Sequence, residues 1–392
     1  MKKLKLGLFG KILIAIVGGA LLGLLLAQPY APCHWGLTAV NAFSDIFGQI
    51  LKFIVPLIIL GLVTPAIAEM GGGAGKMLIA TVLTAYGSTV FAGYLSYFGS
   101  AAVFPSILGD ALKHLDKIEK VEPLLKIPPI MPVMTALVLS FMLGLGIVFT
   151  QSATLRNGFN ELRTIVSKTI EKVILPVLPF YIMSMIAKMG AAGHLAAFGV
   201  IALKIIGMSI LLTVLLLLIQ YGAAAFLARR NPLTVFWNML PAYFTALTIC
   251  SSAATIPVTM RCVRKNDVSE DTTAFVVPLC ATIHLAGSMV KVVSCAVAFM
   301  VLAGRPLDIG LFSTFIFMMA ITAVAAPGVA GGVITSSQGL LLSVLLFSPE
   351  EVGLLTTVYL AMDGLGTACN VTGDGAIALA IDRFFGQRTR PA

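Results

Sequence analysis

Four polar side chains recur at helical spacing near the carboxy end of this 392-residue chain. Asp363, Thr367, Asn370 and Asp374 stand at i, i+4, i+7 and i+11 inside the stretch MDGLGTACNVTGD. On an α-helix they fall within roughly 60° of one another, in one stripe about 16 Å long. The flanks, LLTTVYLAM and AIALAI, are apolar, so the stripe stands where lipid would be expected. A carboxylate at the centre of a bilayer costs about 2.5–3.5 kcal/mol on insertion scales. That cost is offset if the stripe faces ammonium groups, alkali cations or water. An ionised aspartate can only accept hydrogen bonds, which suits an ammonium, and hard oxygens suit an alkali ion. The chemistry is therefore that of a cation and amine site. The structural alternative is hydrogen bonding between helices, or a pair with a nearby lysine.

The elements that position the stripe must cross a membrane. The chain is 58% hydrophobic and 11% charged, with a mean hydropathy of +1.00, against about 25% charged residues in soluble domains. Apolar runs of the roughly 20 residues needed for a crossing predict an all-α polytopic membrane protein with spans near 10–27, 41–69, 77–104, 129–150, 169–190, 195–227, 272–303 and 352–382. No polar linker divides it, so a single domain is expected over 1–392.

The net charge of +9 does not point to nucleic acid, because the basic residues are sorted by side. Lys2, Lys3, Lys5, Lys11, Lys76, Arg156, Arg163, Lys168, Lys172, Arg229, Arg230, Arg261, Arg264, Lys265, Arg383, Arg388 and Arg390 fall in loops on one side. The other side holds Lys113, Lys117, Lys120, Lys126, Lys188 and Arg305, the first four interleaved with Asp116, Glu119 and Glu122. This positive-inside asymmetry places both termini in the cytoplasm and the chain in the cytoplasmic membrane. A cleaved signal peptide over 1–28 is the competing reading of the first segment. The cysteines at 33, 250, 262, 280, 295 and 369 have no paired spacing and read as small buried apolar residues. GGGAGKM at 71–77 fails as a phosphate loop: Met70 stands where the first glycine is required and Met77 replaces the Ser/Thr.

Two segments do not fit plain spans. Residues 231–265 begin after Arg229–Arg230 and end at Arg261, Arg264 and Lys265, so both ends lie inside, with the small, hydroxylated CSSAATIP in the middle. Residues 308–347 begin after Arg305 and end at SPEE, both outside, with AAPGVAGG in the middle. Re-entrant hairpins fit these better than crossings; four ordinary short helices are the alternative. Irregular backbone at membrane depth is tolerated only inside protein or beside a wet cavity. A pair of interrupted segments entering from opposite faces marks a transporter's binding site.

CSSAATIPVTM, PLCATIHLAGS, PGVAGGV and DGLGTACNVTGD occur in the order of four motifs of the dicarboxylate/amino acid:cation symporter family, which this chain resembles over nearly its whole length. The family has the glutamate-transporter fold. The resemblance implies eight transmembrane helices, two re-entrant hairpins and an elevator-like homotrimer, with a scaffold near 10–69 and 129–190. The transport part would lie near 77–104 and 195–386. It implies that Asp363 takes a substrate α-ammonium and Asn370 its α-carboxylate, assisted by backbone at Ser252 and Val329. Ser251, Ser288, Gly366 and Thr367 would complete the pocket. One sodium ion would be held by Asn370, Asp374 and backbone carbonyls around Cys280 to His284. A second would lie near Thr282 and the carbonyls of 323–326. No other cofactor is implied.

The departures matter as much. Acidic-substrate members carry arginine at the position of Gly366, so a small neutral amino acid such as serine, threonine or alanine is expected; an acidic amino acid or dicarboxylate symporter, coupled to protons or sodium, is the alternative. The family's Asn-Met-Asp-Gly-Thr reads His284-Leu285-Ala286-Gly287-Ser288, which removes the carboxylate of a third sodium site. His284 and Lys291 are new. Lys291 snorkelling outward with His284 bonded to a carbonyl is one reading. The other makes Lys291 a built-in cation in place of a coupling ion, with His284 titrating, so that protons take part. Lys52 and Lys204 read as structural or snorkelling residues, and Gly19 with Gly23 as a helix-packing pair. A channel, a non-transporting sensor and an intramembrane hydrolase using Ser251 or Ser252 with His284 are the remaining classes.

Overall fold

In a computed structural model of the protein, residues 8–28, 31–70, 76–108, 127–324 and 331–386 are described, and their regular structure is entirely helical. The amino half holds α1 (Leu8–Leu26), α2 (Ala31–Met70), α3 (Lys76–Leu108), α4 (Val133–Thr150), α5 (Ala153–Thr169), α6 (Leu175–Ala191) and α7 (Leu195–Ala228). Helix α5 was expected to be loop. It is amphipathic and capped by Ser152, whose hydroxyl accepts from the Leu155 N–H. A π-helical turn, Ile170–Ile174, joins it to α6. Pro176 has no N–H to donate back to residue 172, and the turn widens where that bond is missing.

The carboxy half is a series of broken helices. A short α8 (Pro232–Trp237) leads to α9 (Leu240–Ile249) and α10 (Ser252–Arg264). The chain turns between the last two at Cys250, whose φ of 55° lies in the left-handed region. Next come α11 (Glu270–Ile283) and α12 (Ala286–Leu302), then α13 (Ile309–Val324) and α14 (Gly332–Ser343). The last pair is α15 (Pro349–Ala361) and α16 (Asp363–Phe385), bent by 61° at Met362. The interruption expected near 250 is present; near 330 the described part is Gly331, whose φ of 75° precedes α14, and residues 325–330 lie outside the described residues. The two interruptions at 284–285 and 362 were read as continuous helix and are not. Each broken end leaves backbone N–H groups that something must satisfy.

Helices α1, α2, α4 and α6 pack chiefly on one another, as do α3, α7, α9 to α12 and α16, while α14 and α15 touch both sets. The α1–α6 contact rests on the glycine pair. A Cβ on Gly19 would lie 2.6 Å from the Met183 carbonyl, and one on Gly23 2.6 Å from the Ala187 carbonyl. The centre of the second set is α12, buried continuously from Ala286 to Met300. Three described helices are long and apolar enough to cross a membrane alone, or five if each bent pair counts as one span.

Candidate functional site

The four breaks converge. Cys250, Ser251 and Ser252 at the α9–α10 turn, Thr282 and Leu285 at the α11–α12 break, and Gly331 to Val333 at the start of α14 surround a cavity of about 70 Å³. Ser288, Tyr359, Asp363, Thr367 and Asn370 complete the wall. The volume is well below the roughly 300–1,000 Å³ of sites for drug-sized ligands, so the space is small. Ser251, Ser252, Ser288, Asp363, Thr367 and Asn370 are therefore brought together as expected. Gly366 faces α12 instead, and Val329 lies outside the described residues.

Asp363 opens α16 directly after the bend, which aims its side chain across the broken ends. One oxygen, Oδ2, accepts the N–H of Gly331, which caps α14, at 2.9 Å. The other, Oδ1, accepts from Lys291 Nζ at 2.9 Å, and that ammonium also approaches the Asp363 carbonyl at 3.4 Å. Lys291 is fully buried, with Nζ 3.8 Å from the centre of the Tyr359 ring. The snorkelling reading of Lys291 is thus overturned. A lysine buried beside lipid-depth apolar residues cannot stay charged unless paired, and Asp363 is its partner. Glycine at 366 makes the pairing possible: a Cβ there would overlap Lys291 Cε and come within 2.7 Å of Nζ. The ammonium from α12 thus stands against the α16 backbone at Gly366.

Asn370 is committed to the broken end of α12. Its Oδ1 accepts the Gly287 N–H at 2.8 Å and the Ser288 N–H at 3.3 Å, and its amide donates to Ser288 Oγ at 3.1 Å. Side-chain capping thus satisfies donors that the break leaves free. The approach is close because Gly287 lies against α16, where a Cβ would sit 2.6 Å from the Gly366 carbonyl.

Asp374 and His284 form a second buried pair away from the cavity wall. His284 Nδ1 and Asp374 Oδ1 are 2.9 Å apart, both side chains all but inaccessible. Ser88 Oγ is 3.1 Å from the other ring nitrogen, and the Gln220 amide donates to Ser88 at 2.8 Å. The expected bond from His284 to a backbone carbonyl is replaced by this carboxylate. Because the helix ends at Ile283, His284 does not share a helical face with Lys291, as continuous helix would have required.

Three of the oxygens expected to hold sodium here already take part in hydrogen bonds. The Cys280 carbonyl accepts the His284 N–H at 2.8 Å. Asn370 Oδ1 takes two backbone donors and Asp374 Oδ1 takes His284. Asp374 Oδ2 alone of these side-chain oxygens is buried without a partner. Thr282, placed near the second sodium, lines the cavity and donates its hydroxyl to the Leu279 carbonyl at 2.7 Å. Lys204, as read, is structural, donating to the Ile107 carbonyl at 2.6 Å.

Sequence reasoning missed Tyr359, Ser88 and Gln220. The only available signal was Gln220, a lone amide in LLTVLLLLIQYG. Ser88 and Tyr359 are compatible with any helix interior.

Interrupted helices meeting at a hydroxyl-rich cavity with one carboxylate on its wall mark a helical membrane protein with a polar space among its broken helices. The match to known proteins makes this specific: residues 8–384 fit the sodium:dicarboxylate symporter family, and the chain belongs to it. It is 27% identical to the serine/threonine transporter SstT of Enterococcus faecalis, over 94% of this chain and 90% of that protein. It is 29% identical to the serine/threonine transporter SstT of Streptococcus suis, over 84% of this chain and 92% of that one. These proteins are transporters and not enzymes, which removes the hydrolase reading.

Proposed function

We propose that this chain is a secondary active symporter that takes up a small neutral amino acid, of the size of serine, threonine or alanine, together with sodium. The observation that carries the reading is the cavity at the four helix breaks, where hydroxyls of Ser251, Ser252, Ser288 and Thr367 surround Asp363. The SstT relatives, named as serine/threonine transporters, support the substrate class. Charge balance supports it as well. Asp363 and Lys291 cancel. A zwitterion can bring its ammonium to Asp363 and leave the Lys291 ammonium a carboxylate, so no net charge is added to a low-dielectric site. Cys250 to Ser252 and Gly331 to Val333 would then receive the rest of the substrate from opposite sides, with Gly331, at φ 75°, giving the second hairpin its turn.

In the membrane the chain would make eight crossings with the hairpins at 231–265 and 308–347 inside, both termini cytoplasmic. A scaffold of α1, α2, α4 and α6 would form the trimer, and α3, α7 to α14 and the α15–α16 pair would move against it. A second reading, uptake of an acidic amino acid or dicarboxylate, has one observation in its favour: the Lys291 ammonium beside Gly366. Uptake into proteoliposomes under an imposed sodium gradient, compared across neutral amino acids, acidic amino acids and succinate, separates the two. Neutral substrates alone are expected to accumulate. Accumulation of the acids, or of nothing, would contradict the proposal.

A further inference from the structure

The pair His284–Asp374 was expected to be part of a sodium site, and its geometry does not fit one. An alkali ion needs several hard oxygens free to point inward. Here the Cys280 carbonyl, Asn370 Oδ1 and Asp374 Oδ1 each already accept a protein N–H at 2.8–2.9 Å. The imidazole fills the space itself. A Cβ on Gly373 would meet His284 Cε1 at 2.6 Å and Gln220 Oε1 at 2.8 Å, so the ring and the amide pack closely against α16. Ser88 and Gln220, from α3 and α7, hold the ring from its far side at 3.1 and 3.5 Å. Three helices therefore keep an imidazole nitrogen, a donor towards the carboxylate, where a bare cation would have to sit.

We infer that His284 is a resident occupant of the cation position at Asp374, so that this chain carries one sodium ion fewer than the site would otherwise hold. The inference rests on the symporter reading for its relevance to coupling but not for its test. Asparagine at 284 is the residue that the family motif places there, and it would vacate the ring's space while keeping a polar side chain. The ring's loss would free Asp374 Oδ1, next to an Oδ2 that is already buried and unpartnered.

The test is equilibrium binding of radioactive sodium alone to the purified full-length protein, with no amino acid present. At saturating sodium, wild type and Asp374→Asn are expected to bind the same number of ions per chain, with half-saturating concentrations within about twofold. His284→Asn is expected to bind one more, and the double variant His284→Asn/Asp374→Asn to lose it again. A sodium lost from Asp374→Asn alone, or a rise of tenfold or more in its half-saturating concentration, overturns the inference. So does His284→Asn with no added ion. If His284→Asn does not fold, the comparison of wild type with Asp374→Asn still decides. Failure of the amino acid reading would show separately, as absent uptake in wild type, and leaves these ion counts interpretable.

Discussion

Gly366→Ala tests the central ion pair by a single methyl group. The new Cβ would overlap Lys291 Cε and press on Nζ from 2.7 Å. Lysine tips are flexible, but this one is fully buried, tied to Asp363 at 2.9 Å and seated against Tyr359. Displacing it strands two charges in the interior, which costs about 3–5 kcal/mol when a buried pair is broken. Alanine returns about 0.8–1 kcal/mol in helix propensity over glycine. The net expectation is a loss of about 2–4 kcal/mol, combining those two ranges, read as a fall in the melting temperature of the purified protein. A double-mutant cycle separates this cause from general crowding. In a Lys291→Ala background the methyl group meets no ammonium, so Gly366→Ala should turn neutral or stabilising by up to about 1 kcal/mol. Equal destabilisation in both backgrounds would refute the claim that glycine at 366 exists to admit Lys291.

Two further outcomes are expected. Asn370→Ala leaves the Gly287 and Ser288 N–H groups without their acceptor. At about 1–3 kcal/mol for a buried donor left unmade, it should lower thermal stability and amino acid uptake together, and unchanged melting of the purified variant would contradict the capping role. Gly23→Val should loosen α1 from α6, because even a Cβ there meets the Ala187 carbonyl at 2.6 Å and the Gly190 Cα at 2.8 Å; faster proteolysis between these helices in the variant is the readout, and unchanged proteolysis would contradict the packing.

Much of the arrangement was legible in the sequence because its signals are local. The stripe Asp363, Thr367, Asn370, Asp374 depends only on helical periodicity, and α16 begins at its first member. The break at Cys250–Ser251 follows from small, hydroxylated residues that continue a helix poorly. What stayed hidden depends on contacts between distant segments. That Asp363 would meet Lys291, and Asp374 would meet His284, is settled by how α12 and the α11–α12 break cross α16. Spacing within one segment cannot reveal it. The same holds for Asn370, whose oxygen was assigned to a ligand and instead caps α12. The bend at Met362 has no proline or positive φ to announce it; glycines at 364 and 366 permit it, and Gly364 lies where a Cβ would strike the Leu247 carbonyl. Of the two aspartates expected to face a wet pocket, Asp363 does so while paired to lysine, and Asp374 is enclosed with its histidine.

Asp363 is the proposed receptor for a substrate ammonium, with Lys291 yielding its place. Equilibrium binding of radiolabelled serine to the purified protein, compared with Asp363→Asn, measures this directly. Loss of a hydrogen bond to a charged group, worth about 1.5–3 kcal/mol, predicts binding weaker by about 10- to 150-fold in the variant. Binding of serine by Asp363→Asn as tight as by wild type would show that the ammonium is held elsewhere.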